Sequence, residues 1–419
     1  MSKKLIVVGG GAAGFFCAVN AKRMNPELEV LIVEKTGKIL SKVRISGGGR
    51  CNVTHQCFEV PVMSKRYPRG MNLVKKTFYQ FFTHDTIDWF RERGVLINAE
   101  DDGRMFPATN SSETIIECLV KEMRIHGVEL WCNHDVKSLF RVAGKWQLTF
   151  TTGQMDCDYV CVACGGYPKA SSFSWLTELG HTIESPVPSL FTFNMPGNRV
   201  TSLMGISVGH ANVKIAGTKL QETGPLLITH WGMSGPAILK LSAWGARVLS
   251  DAGYRFKILI NWVPAFKEPG IRELFDSLRQ EARAQKVSGR NPFGLPQRLW
   301  EYLLEESGCK AEWRWADLPA SHQNRLTSNL IAMEYEVSGK TTYKEEFVTA
   351  GGINLSEINA NTMESKLHPA LYFAGEILNV DGITGGYNFQ HAWTSGFVAA
   401  KAIATNAAAS LMPDEPAGA

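Results

Sequence analysis

The segment Lys4–Lys35 leaves few choices for what this chain can fold into. Lys4–Val8 is a short apolar strand that runs straight into Gly9-x-Gly11-x-x-Gly14. A helical stretch with apolar residues at Phe15, Phe16, Ala18 and Val19 follows, and then "LEVLIVEK" reads as a second buried strand ending on Glu34 and Lys35. Strand, GxGxxG, helix, strand and acid in this order form the dinucleotide-binding fingerprint, with the acid about 20 residues beyond the last glycine. Each residue type has its own reason. Gly9 permits the tight turn, Gly11 lets backbone approach a pyrophosphate, and Gly14 lets the helix lie close to the sheet. Ala12 and Ala13 open the helix and leave its first N–H groups free for phosphate oxygens. Glu34 is placed to accept hydrogen bonds from ribose hydroxyls.

With 419 residues the chain needs more than one domain. Its 44% hydrophobic and 20% charged residues suit a globular protein with a substantial core. A net charge of +4 is too small to argue for nucleic acid by itself. No apolar run is long enough to span a bilayer, and the N-terminus does not resemble a signal peptide. Nine scattered cysteines predict reduced thiols and a cytoplasmic protein. Cys161 and Cys164 form a CxxC, but at a buried strand end they read as packing residues. No metal-ligand spacing stands out, and the oligomeric state is left open.

Patterns along the chain divide it. Residues 1–189 together with 345–406 read as an α/β nucleotide-binding domain made from both chain ends. Residues 190–263, rich in Val, Ile, Thr and Gly at strand-like spacing, read as an inserted β domain. Residues 264–344 read as a helical cap, and 407–419 as a disordered tail. "DYVCVACGGYP" is a buried strand stopping at Gly165, where backbone can again approach a ligand. Near the C-terminus, strand, Gly375, Glu376, loop, Asp381, Gly382, Gly385, Gly386 and helix suit a flavin better than a nicotinamide. Glu376 is expected near the ribityl hydroxyls. A helix starting near Asn388 would face the N1–C2=O edge, where negative charge develops on reduction. Only one GxGxxG is present, so no second domain dedicated to NAD(P)H is expected.

Taken in order, "GGGAAG", "KVRISGGGRCNVT", "DDGRMFPAT", "THWGMSGPAIL", "VTAGGIN" and "TMESKLHPALYFAGEILNVDGITGGYNFQHAWTSG" resemble the BaiN-like (YhiN-like) family of bacterial NAD(P)/FAD-dependent oxidoreductases. The resemblance runs from about Leu5 to Ala400. It implies an α/β fold: a discontinuous Rossmann-like FAD-binding domain, an inserted β-barrel-like domain and a small helical domain. It also implies that Lys42, Ser46, Gly47, Gly48, Gly49, Arg50 and Asn52 approach FAD. Cys51, next to Arg50, is either a reactive thiolate or, preferably, a packed thiol beside the flavin. Gly352, Gly375, Glu376 and the Asp381–Asn388 loop, including Gly385, Gly386 and Tyr387, would complete the flavin end. His230 and Ser234 are candidate substrate-side groups, and His230 is equally open to a structural role. Arg104 is either a substrate-side cation or, preferably, a loop pin held by carboxylates. Asn379, His391 and Cys164 depart from the family pattern.

The function expected is hydride transfer through flavin N5, with NAD(P)H as a transient donor, to an activated C=C bond. The substrate is either an enone-like small molecule or a uracil ring of rRNA, giving dihydrouridine. Alternatives are a small-molecule oxidase that makes peroxide and a non-catalytic FAD-holding redox sensor. Basic residues at Arg279, Arg283, Lys286, Arg290 and Arg298, and at Lys65, Arg66 and Arg69, are where an RNA would bind.

Overall fold

The computed structural model describes residues 2–341 and 348–409. These form two compact units, one from residues before Ser189 together with the C-terminal part, the other from Ser189 to the early 340s.

The first unit is built on a five-stranded parallel sheet. Its strands are β1 (Lys4–Val8), β2 (Glu29–Glu34), β3 (Glu129–Cys132), β4 (Tyr159–Val162) and β5 (Leu371–Phe373). Their spatial order is β3-β2-β1-β4-β5. This is the Rossmann order, with the switch point between β1 and β4, where ligands of open α/β sheets bind. β1, β2, β4 and β5 are apolar and largely buried, as parallel strands covered on both faces must be.

Two helices cover one face. Helix α1 (Ala12–Met24) is buried continuously from Ala13 to Ala21. Helix α2 (Tyr387–Ala409) is the chain's long closing helix. They touch at backbone distance: a Cβ on Gly396 would lie 2.7 Å from the Ala13 carbonyl oxygen. Buried polar groups of α2 are satisfied by the segment after the glycine-rich loop. The Trp393 indole donates to the Val53 carbonyl (3.0 Å), Thr394 to Phe81 O (2.9 Å), and Thr54 and Thr86 donate to Gln390 (2.6 and 3.1 Å). Helix α2 continues to Ala409, so residues 407–409 of the expected tail are helical, and 410–419 lie outside the described residues.

In the second unit a seven-stranded antiparallel sheet runs Met333–Ser338, Arg255–Asn261, Ser207–Ile215, Gln221–Thr229, Gly232–Ser234, Thr192–Asn194, Lys340–Thr341. Its first and last strands in space are separated in sequence only by Gly339. The Gly339 carbonyl accepts from Asn194 N and its N–H donates to Tyr254 O (3.1 and 2.8 Å). The sheet therefore curls back on itself, which accounts for the barrel-like character. The helices Glu268–Glu281, Gln297–Glu306 and Ala320–Ala332 send Phe275, Leu303 and Leu330 into the same core as Phe193 and Ile260. The sequence sets residues 190–263 and 264–344 apart; in the folded chain they share one apolar interior.

His391, on the first turns of α2, is fully enclosed. Its Nε2–H donates to the Gly375 carbonyl (3.3 Å), and Nδ1 finds no partner among the described residues. Burial pulls its pKa from the ordinary 6.5 down to about 4. Between those values the unfolded chain holds a proton that the folded chain does not, so stability falls as pH drops through 6.5 towards 4. At pH 5 the loss from this residue is about 2 kcal/mol. His391→Phe keeps the ring volume and removes the titration. Urea unfolding at pH 7 and pH 5 should show the variant losing about 2 kcal/mol less than wild type; equal losses would refute this.

Candidate functional site

The glycines of the first motif separate by what surrounds them. A Cβ on Gly9 (φ +116°) would meet the Ala163 carbonyl at 2.5 Å, and one on Gly14 would meet the Gly9 carbonyl at 2.0 Å. Both are glycine because protein backbone passes there. Beside Gly11 there is nothing within 4 Å. Gly11 is the N-cap of α1 in extended conformation, no side chain caps the helix, and its first turn carries no acid. Uncapped N–H groups next to open space are what an anionic diphosphate requires. Glu34, at the end of β2, accepts from Gly10 N (2.9 Å) and Thr36 N (3.0 Å). Those two bonds fix its carboxylate beside the motif and leave lone pairs for ribose hydroxyls. Lys35 is exposed, with its ammonium 5.6 Å from the centre of the Tyr167 ring.

The second glycine cluster behaves in the same way. Helix Ser41–Gly49 breaks at Ser46 (ψ 147°), and Gly47 and Gly48 take left-handed conformations (φ +60° and +71°). A Cβ on Gly47 would meet the Phe106 ring at 2.8 Å, whereas Gly48 and Gly49 face open space. Cys51 follows with φ +63°, a conformation that costs a non-glycine residue about 1–2 kcal/mol. Burial pushes its thiol up to about 12, so it is a packed, protonated group with no thiolate character. Arg50 is held by protein partners. It stacks on Phe106 (3.9 Å to the ring centre) and pairs with Glu100 (2.6 Å). Arg104 pairs with Glu100 and Asp102 (2.9 and 2.7 Å), the carboxylate pairing expected of the loop pin preferred for it over a substrate-side cation.

At the end of β5, Gly375 (φ +74°) lies against Ala13, its Cβ position 2.8 Å from the Ala13 Cβ, and its N–H donates to Ser395 Oγ (2.9 Å). Glu376 accepts from Thr349 N (2.8 Å) and from Lys42 Nζ (2.5 Å), and a Cβ on Gly165 would lie 4.0 Å from its carboxylate. Gly352 is pressed against the Ile377 carbonyl, so it packs the chain. The Asp381–Asn388 loop is clamped from outside. Asp381 is fully buried and ion-paired to Arg69. Asn388 bonds both backbone groups of Gly382 (2.8 and 3.1 Å). His55 bonds the Gly385 carbonyl (3.0 Å) and stacks on Tyr387 (4.8 Å between ring centres). Tyr67 donates to the Tyr387 carbonyl (2.6 Å). Asn52 bridges Thr54 O and Gly386 N (3.0 and 2.9 Å) in the amide orientation that satisfies both.

The first unit thus gathers the GxGxxG loop, Glu34, Lys42, Gly165, Gly375 and Glu376 at the carboxyl ends of β1, β2, β4 and β5, and Asn52 links the second glycine cluster to Gly386. His230 and Ser234 belong to the second unit; His230 is exposed, and its ring lies edge-on to Trp231. Sequence pattern assigns Asp381 to the cofactor, but its side chain is engaged by Arg69. His55 and Tyr67 escape sequence reasoning altogether, because neither sits in a spacing that signals a role. Among the described residues, no three His, Cys, Asp or Glu side chains converge as metal ligands, and no helix is long and apolar enough to cross a membrane.

An open, glycine-lined approach to an uncapped helix, with a clamped loop leading into a second helix N-terminus, fits FAD, and the fold and site define an FAD-dependent oxidoreductase. The chain belongs to the family described as "HI0933-like protein Rossmann domain", whose model matches residues 3–402. It is 26% identical over 407 residues to the 3-dehydro-bile acid delta(4,6)-reductase of Clostridium scindens, covering 95% of this chain and 98% of that one. It is 28% identical over 411 residues to the ribosomal RNA dihydrouridine synthase of Haemophilus influenzae, covering 95% and 98%. In fold it resembles the crystal structure of 3-ketosteroid-delta4-(5alpha)-dehydrogenase from Rhodococcus jostii RHA1, with a TM-score of 0.50, 13% identity and coverage of 95% and 97%.

The glycines predict different phenotypes. Gly11→Val should leave the apoprotein within about 1 kcal/mol of wild type, since only a poorer N-cap results, while the purified protein loses its flavin absorbance. Gly14→Val should instead cost the apoprotein about 3 kcal/mol by overpacking. Apoprotein melting and flavin content measured together test this. A yellow Gly11→Val protein would refute the cradle.

Proposed function

We propose that the protein reduces a C=C bond conjugated to a carbonyl group, using FAD, with NAD(P)H as transient donor, in the cytoplasm, where its nine free cysteines are at home. One observation carries this reading. The two full-length relatives act, by their names, on a bile acid at positions 4 and 6 and on a uridine base of RNA. These substrates share little beyond an electron-poor C=C bond next to a carbonyl. FAD, when bound and reduced by NAD(P)H, would supply the hydride such a bond accepts.

The chain's own residues do the rest. Gly11 and the first N–H groups of α1 would hold the pyrophosphate, and Glu34 the adenosine ribose. Glu376, kept in place by Lys42 and Thr349, takes ribityl hydroxyls. The N-terminus of α2, its preceding loop immobilised by Arg69, His55 and Tyr67, favours negative charge at the N1–C2=O edge. His230 is the candidate proton donor and Ser234 the candidate donor to the carbonyl. The substrate is either an enone-like small molecule or a uracil ring of rRNA.

Anaerobic spectroscopy tests the reading. NADH or NADPH should bleach the flavin, and an enone or a uridine-containing RNA should restore the colour. His230→Gln should bleach at the wild-type rate and recover about 100-fold more slowly. Recovery with oxygen alone, with stoichiometric peroxide, would make the protein an oxidase. Absence of bleaching by either nucleotide would make it a redox sensor.

A further inference from the structure

The segment Cys57–Gln80 carries Lys65, Arg66, Arg69, Lys75 and Lys76 against a single acid, Glu59. It folds into two short helices, Val60–Ser64 and Met71–Phe78. The second buries Leu73, Val74, Thr77 and Phe78, so helical spacing turns Lys75 and Lys76 outward, and both are exposed. Lys65 and Arg66 are exposed at the end of the first. Two aromatic rings stand in solvent on the same segment, Phe58 at 55% and Tyr79 at 69% exposure. A pair of exposed rings among cations, in a stretch with one acid, is unlike an ordinary solvated face, where charges of both signs alternate.

This segment is also fastened to the cofactor loop. Arg69 pairs with the buried Asp381, Tyr67 donates to the Tyr387 carbonyl (2.6 Å), and the Arg66 carbonyl accepts from Ile383 N (3.0 Å). Of the other basic group named from the sequence, Arg279, Arg290 and Arg298 have partners within the fold. Arg279 bonds Gln323 and the Leu318 carbonyl, Arg298 the Ser202 carbonyl, and Arg290 bonds Gln285.

We propose that the Cys57–Gln80 face binds single-stranded RNA beside the cofactor loop, with phosphates on Lys65, Arg66, Lys75 and Lys76 and bases stacked on Phe58 and Tyr79. Cations that track a backbone and flat rings that accept any base are the two elements of single-strand recognition. The inference rests on the C=C-reduction reading and selects its RNA branch. Charge complementarity and attachment to the cofactor loop argue for a polyanionic substrate strand here.

The test uses the full-length, FAD-loaded protein and a fluorescein-labelled oligouridylate, with anisotropy followed across a salt series. The wild type should bind, with affinity falling steeply as salt rises. K75Q/K76Q should reduce the slope of log K against log salt by about 1.4, two phosphate contacts' worth. F58A/Y79A should weaken binding about ten-fold or more with the slope unchanged. R283Q/K286Q, in the second unit, should bind as wild type. Flavin absorbance and melting temperature check that each variant is folded. A wild type that ignores oligouridylate, or surface variants that bind it normally, would overturn the proposal. So would variant-sensitive binding to phosphatidylglycerol vesicles without RNA binding, which would assign the face to a membrane surface. If an enone restores the colour of bleached wild-type flavin while no RNA binds, the surface assignment fails and the reductase reading stands. If RNA binds with the expected variant sensitivity but no C=C substrate restores the colour, the surface assignment stands and the reductase reading fails.

Discussion

The close crossing of α1 and α2 is the contact on which the first unit depends. Gly396 lets α2 approach the Ala13 carbonyl, Gly14 lets α1 approach the Gly9 carbonyl, and Gly375 fits against Ala13. At each point a single methyl group would collide with backbone or with Ala13, and tightly packed interiors cannot absorb such collisions without moving a helix. Because α1 follows the first strand and α2 closes the fold, this contact joins the chain's two ends into one cofactor domain. It also decides which glycine is left facing open space, namely Gly11.

The flavin end is ordered by a different kind of interaction. Asp381 is wholly buried, and its charge is compensated by Arg69 together with an antiparallel backbone bridge between the same two residues. A buried ion pair adds little net stability over apolar packing, but removing one partner strands a charge at high cost. The pair is therefore better understood as fixing a conformation. His55, Tyr67 and Asn388 bond the backbone of the same loop, so protein contacts hold its geometry. Preorganised N–H groups at a helix N-terminus stabilise developing negative charge without reorganisation energy.

Local chemistry was legible where it is local. The roles of Gly9, Gly11 and Gly14 follow from spacing, and the structure surrounds them accordingly. The strands, the helix at Ala12–Met24 and the acid at Glu34 follow from apolar runs and their punctuation. Arg50 and Asp381 were harder, because a charged residue in a glycine-rich motif looks the same whether it meets a ligand or a partner on a distant strand. Arg50 and Arg104 share Glu100, while Asp381 meets Arg69 across more than 300 residues of chain. Cys51 is the packed thiol expected of it, since burial raises its pKa despite the neighbouring Arg50. The boundary drawn at Val263 marks a change of secondary structure, and such a change does not divide a core that strands and helices fill together.

The sequence by itself determined the Rossmann-type unit, the nucleotide it is shaped for and the pieces of chain that build it. Those features arise from periodicity and from glycine's lack of a side chain, and both act over a few residues. Only the tertiary structure decided which glycines are packed and which are open, which charges are neutralised and which cations remain at the surface. These outcomes depend on partners brought together from opposite ends of the chain, and only long-range packing determines who those partners are.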